Sequence, residues 1–144
     1  MTIKQALKEK NRLIKAIDDE FKKVYSYNSI DEGNVRPYST VDALTNIMTL
    51  EEGLIDLKTK IHRANIGVYD KIFRLSELKS LAKKLTQINC DEGKVTDRYL
   101  RGAEPSIKTA EISIVERDVR VKSIEEEIER LQEELDNHNA TTSI

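Results

Sequence analysis

Apolar residues step by threes and fours along four runs of this chain, and the pattern lapses in two long stretches. The first run, Ile3, Leu7, Ile14, Ile17, Phe21 and Val24, draws one stripe and predicts an amphipathic helix from Thr2, its N-cap, to about Val24. The segment "YSYNSIDEGNVRPYS" breaks the period, and Gly33, Asn34 and Pro37 mark it as a long loop. A second helix should start at Ser39 or Thr40, with Asp42 in the first turn where the helix dipole favours an anion. Ile47, Leu50, Leu54, Leu57, Ile61 and Ala64 then form a narrow seam that ends at "KIHRANIG", with Gly67 as the stop.

The third run, Tyr69 to Ile88, differs in kind. Ile72, Phe73, Leu75, Leu78, Leu81, Ala82, Leu85 and Ile88 cover a wide arc, and such a helix needs more than one neighbour. "NCDEGKVTDRYLRGAEPS" is the second break. In "SIKTAEIS", Ile107, Thr109 and Glu111 alternate with Lys108, Ala110 and Ile112, which predicts a short strand pairing near Arg98 or with another chain. A capping box, Ser113 to Glu116, opens the fourth helix, whose seam is Val121, Ile124, Ile128, Leu131 and Leu135.

These elements predict an all-α fold: one domain over residues 1–144, an antiparallel bundle of about four long helices, two long loops, and a short strand or hairpin before the last helix. The broad third helix points to a homo-oligomer. Helix one carries Lys4, Lys8, Lys10, Arg12, Lys15, Lys22 and Lys23, while helix four carries Glu125, Glu126, Glu127, Glu129, Glu133, Glu134 and Asp136. Two solvated faces would explain this, but opposite charge also favours the two helices as neighbours.

Composition narrows the function classes. A net charge of −2 gives no global attraction to a nucleic-acid polymer, and no apolar run reaches the length of a membrane span. "MTIKQALKEKNR" lacks a signal peptide's apolar block, so a soluble cytoplasmic protein is expected. Cys90 stands alone, and neither His62 nor His138 belongs to a diagnostic metal-ligand motif, so no metal and no cofactor is expected. Enzyme signatures such as a phosphate-cradling glycine loop or a nucleophile elbow are missing, and the chain reads as non-enzymatic.

Alternating helix directions would gather the polar residues at two ends. One end takes both long loops, with Tyr25, Tyr27, Asn28, Arg36, Tyr38, Lys94, Arg98, Tyr99, Arg101 and Lys108. Guanidinium forks match phosphate and carboxylate oxygens, and tyrosine rings stack on planar ligands. An anionic, nucleotide-like small molecule could be held there, with Arg36, Arg98 and Arg101 clamping charge and Tyr27 and Tyr99 stacking. The same residues suit a docked protein, or a simple lid on the core. The other end takes Thr2, His62, Arg63, Asn65, Asn137, His138, Asn139 and Thr141, where helix capping is the first explanation.

Through "YNSIDEGNVRP", "IHRAN", "DRYLRG…SIKT" and "HNATTSI" the chain resembles a family of small helical bacterial and phage proteins often labelled septicolysin. The pattern spans nearly the whole length, at Asn28, Glu32, Gly33, Pro37, Arg63, Asn65, Arg98, Arg101, Lys108, Asn139, Thr141 and Thr142; His138–Asn139 stands where other members have an asparagine–tryptophan pair. The resemblance implies a compact helical fold and no established reaction. The pore formation suggested by that label finds no apolar span, barrel hairpin or cationic amphipathic helix in this sequence. Arg, Asn and Thr at loops and helix ends are donors for anions and amides, which favours a bound small molecule; sequestering a host signalling nucleotide would be one use.

Overall fold

Hydroxyl side chains start the helices. In the computed structural model, which describes residues 1–95 and 106–144, α1 spans Ile3–Tyr27 and begins with a full capping box: Thr2 Oγ1 accepts from Gln5 N–H, and Gln5 Oε1 accepts from Thr2 N–H. Ser39 caps α2 (Thr40–Ala64) by accepting from Asp42 N–H at 3.2 Å. A 3₁₀ turn at Ile66–Val68 leads to α3 (Tyr69–Thr86). Strands β1 (Gly93–Val95) and β2 (Ser106–Lys108) precede α4 (Ile114–Thr141). Ser113 accepts from Glu116 N–H, but the Glu116 carboxylate takes Arg120 instead of closing the expected box. Among the described residues, four helices and one small antiparallel hairpin make the fold all-α.

The chain forms two compact units, residues 1–68 with 136–144, and residues 69–135. The first is the α1–α2 hairpin plus the end of α4. Its core is Ile3, Ala6, Leu13, Ile17, Ile47, Leu54, Leu57 and Ile61, flanked by half-buried Leu7, Phe21, Val24, Leu50, Ala64 and Ile144. The α2 seam matches its sequence pattern. On α1 the stripe turns by one residue, with Ala6 and Leu13 inside and Ile14 exposed.

Two corrections concern helix ends. α1 runs on to Tyr27, beyond Val24, because Arg36 reaches back to its last carbonyls: Nε donates to Tyr27 O and an η nitrogen to Asn28 O, both at 2.9 Å. α2 stops at Asn65, not Gly67. Asn65 N–H is shared between Ile61 O and His62 O, and Asn65 O accepts from Val68 N–H, a tightening into 3₁₀ geometry that needs no left-handed glycine. At the opposite end of this hairpin, Gly33 does adopt φ +90 in the connecting loop.

In the second unit, α3 and α4 are tied antiparallel by Lys71–Glu134 at 2.9 Å and Arg74–Glu127 at 2.6 Å. Arg117 donates to Ile88 O at the end of α3, as Arg36 does for α1. Leu75, Ala82, Val121, Leu131 and Leu135 are buried. The wide arc read for α3 is only partly used, since Phe73 and Leu81 stay exposed. The strand at 106–108 is present and pairs antiparallel with Gly93–Val95, while the residues around Arg98 expected to pair with it lie outside the described residues. Ala110 N–H donates to the Glu92 carboxylate and carries that pairing on toward α4.

These ion pairs set a pH dependence. The hydrogen bond from Arg74 holds the Glu127 carboxyl below its ordinary range, and that from Lys71 does the same for Glu134. A carboxyl whose folded pKa is depressed stabilises the fold above its unfolded pKa, and the gain fades as pH falls through the folded value. Urea midpoints are therefore expected to hold from neutral pH to about pH 4.5 and to drop below it, and Arg74→Gln should flatten part of that drop. A profile identical in Arg74→Gln would remove the pair from the explanation. Because both carboxylates stay partly open to solvent, the effect is small.

Candidate functional site

At the loop end of the first unit, Tyr27 and Tyr38 lie with ring centroids 5.7 Å apart and planes inclined at 49°. The Lys23 ammonium sits 5.0 Å from the Tyr38 centroid and pairs with Glu20 at 2.8 Å; this pairing raises its pKa. Asn28 is the exposed C-cap of α1. Arg36, read from sequence as an anion clamp, spends Nε and one η nitrogen on the carbonyls of Tyr27 and Asn28. These contacts hold the loop on the helix end and put a cation against its partial negative charge.

The partners expected from the second loop divide. Arg98, Tyr99 and Arg101 lie outside the described residues, and the candidate pocket that joins them to Tyr27 lies outside with them. Lys108 is exposed on β2 opposite Gly93, and Lys94 is opposite Ile107. Directly opposed residues share a face of a ladder and neighbours alternate, so Lys94 and Lys108 point to opposite faces of the hairpin.

The second polar cluster converges at the other end of the first unit. Three segments meet: the start of α1, the end of α2 and the end of α4. Thr2 and Ser143 form an antiparallel bridge, with Ile3 N–H donating to Thr142 O and Ile144 N–H to Met1 O. His138 links the side chains. Its Nε2 lies 3.1 Å from Asn65 Oδ1, and its Nδ1 lies 3.1 Å from Thr142 Oγ1. A neutral ring with its proton on Nε2 satisfies both, donating to the amide oxygen and accepting the hydroxyl proton.

Amide, imidazole and hydroxyl in series could in principle polarise the threonine oxygen. Thr142 is otherwise engaged in structure, its N–H donating to His138 O and its carbonyl accepting from Ile3. The cluster acts as a latch that ties the chain's last residues to α2. Arg63 lines an open groove beside it with Lys60, Ala64, Ser143 and Ile144. Asn139 lines another with Lys4, Leu7 and Asp136. Thr141 Oγ1 donates to Asn137 O within its own helix. Among the described residues no group of three or more His, Cys, Asp or Glu could hold a metal ion, and no helix is long and apolar enough to cross a membrane.

One surface escaped the sequence reading. Outside its buried seam α2 carries Val41, Leu44, Met48 and Ile55, exposed by 74%, 49%, 62% and 56%. Val41, Met48 and Ile55 recur every seven residues and Leu44 falls three after Val41, so all four share a face roughly a third of a turn from the seam. The signal was in the spacing, but the stronger Ile47–Ile61 seam masked it. Set against protein-family models, curated proteins and solved structures, the chain finds no match.

Proposed function

We propose that this protein is a non-enzymatic helical binding module that works as an assembly of its own copies. The observation that supports this is apolar surface left outside both units in helical register. Val41, Met48 and Ile55 lie along α2, Phe73 on α3, and Val115 and Val119 one turn apart on α4, all exposed. Isolated exposed aliphatics are ordinary, whereas aligned ones mark interaction surfaces. Light scattering across a concentration series tests the assembly. A species larger than one chain is expected, and a monomer at every concentration would sink the reading.

A second reading keeps the small-molecule role. Lys94, Arg98, Arg101 and Lys108 crowd one short stretch of chain, a density that suits an anionic, nucleotide-like ligand. On that reading, sequestering a host signalling nucleotide would be one use. Nucleotides and phosphorylated metabolites should then raise the melting temperature by mass action, and Arg98→Ala with Arg101→Ala should erase the gain. A flat screen, with capture of a protein through the Tyr27–Tyr38 end, would favour an adaptor instead.

A further inference from the structure

We infer that the outer face of α2 is a two-fold interface with a second copy of this chain, the helices running antiparallel about Ile55; this rests on the assembly reading above. The residues along the face are close to self-complementary about that point. With the axis at Ile55, Met48 of one copy comes level with His62 of the other, Lys58 with Glu51 and, across the seam, Glu52, and Leu44 with the turn after α2 that holds Ile66. Ile66, in the turn after α2, is as exposed as Met48, at 63%. Each apolar contact falls on an apolar or half-apolar partner, and each charged contact joins opposite signs.

Charge chooses the direction. A parallel, in-register pairing of the same face would set Glu51 and Glu52 against their own copies and Lys58 against Lys58. The antiparallel pairing turns both repulsions into attractions, and the two-fold repeats each one. Exposed ion pairs add little affinity, so burial of Leu44, Met48, Ile55 and Ile66 drives association while the charges select register. An isologous contact also closes on itself, which yields a dimeric unit instead of a filament.

Sedimentation equilibrium of the full chain tests this with three sets of variants. Ile55→Glu brings two carboxylates together at the axis and should weaken self-association on the order of 100-fold, with the circular-dichroism melt of the monomer retained because Ile55 is exposed. Lys58→Glu should weaken it less, and adding Glu51→Lys and Glu52→Lys should restore it. In a Cys90→Ser background, Ile55→Cys should cross-link to itself on mild oxidation. Leu44→Cys should cross-link only when mixed with Ile66→Cys, because two copies of residue 44 stand about 33 Å apart in this register. An assembly that survives Ile55→Glu and gives no Ile55→Cys dimer overturns the α2 interface while leaving self-association intact. A wild-type chain that is monomeric up to ~100 µM overturns the assembly reading itself.

Discussion

Ile3→Ala is expected to cost the first unit about 3 kcal/mol. Among the described residues Ile3 is the one large side chain with no exposed surface, and it packs in a cluster fed by α1 and α2. Truncation removes three buried carbons and leaves a cavity at the point where the chain's two ends are hydrogen-bonded, Ile3 N–H to Thr142 O. The walls there are held by main-chain bonds on one side and helix packing on the other, so they have little freedom to collapse. Urea unfolding followed by circular dichroism measures the loss. Hydrogen exchange should speed up among amides of α1, α2 and residues 136–144. A cost under ~1 kcal/mol would mean that the site relaxes and Ile3 is not enclosed as described.

Leu131→Ala should cost the second unit about 2–4 kcal/mol. Leu131 is 3% exposed on α4, between the residues that pair with α3, Glu127 and Glu134. The exposed ion pairs cannot make up such a loss, since each is worth at most about 1 kcal/mol. Exchange should quicken first along α3. Leu131→Met keeps the volume and should cost less than about 1.5 kcal/mol, which separates packing from any effect of substitution as such. Equal losses in the two variants would show that shape, not volume, governs this position.

Which features were readable from the residues depends on how local their causes are. The α2 seam was legible because a helix three turns long or more repeats its buried face at steps of three and four; Ile47, Leu54, Leu57 and Ile61 are buried as that spacing requires. The choice between Leu13 and Ile14 on α1 was not, because adjacent aliphatics differ only by the rotation of the helix against α2. Gly67 looked like the stop of α2, yet Asn65 ends it through its own main chain. The polar cluster at the helix ends followed from alternating helix directions, which brought Asn65 and His138 into one group; the contact with Thr142 needed the actual path of the last residues. Arg36 shows the limit most plainly. Its chemistry suits phosphate as well as peptide carbonyls, and composition cannot say which oxygen lies within reach.

The residues alone therefore determined the helices, the hydroxyl residues that start α1, α2 and α4, and the buried seam of α2, since these arise from backbone geometry and side chains within a turn or two. Only the tertiary structure decided what covers each face, where Arg36 and Arg117 spend their donors, and that Val41, Met48 and Ile55 remain outside. Burial is a property of two surfaces at once, and a hydrogen bond is a property of two atoms brought together by chain far away in sequence. Periodicity describes one surface; folding supplies the other.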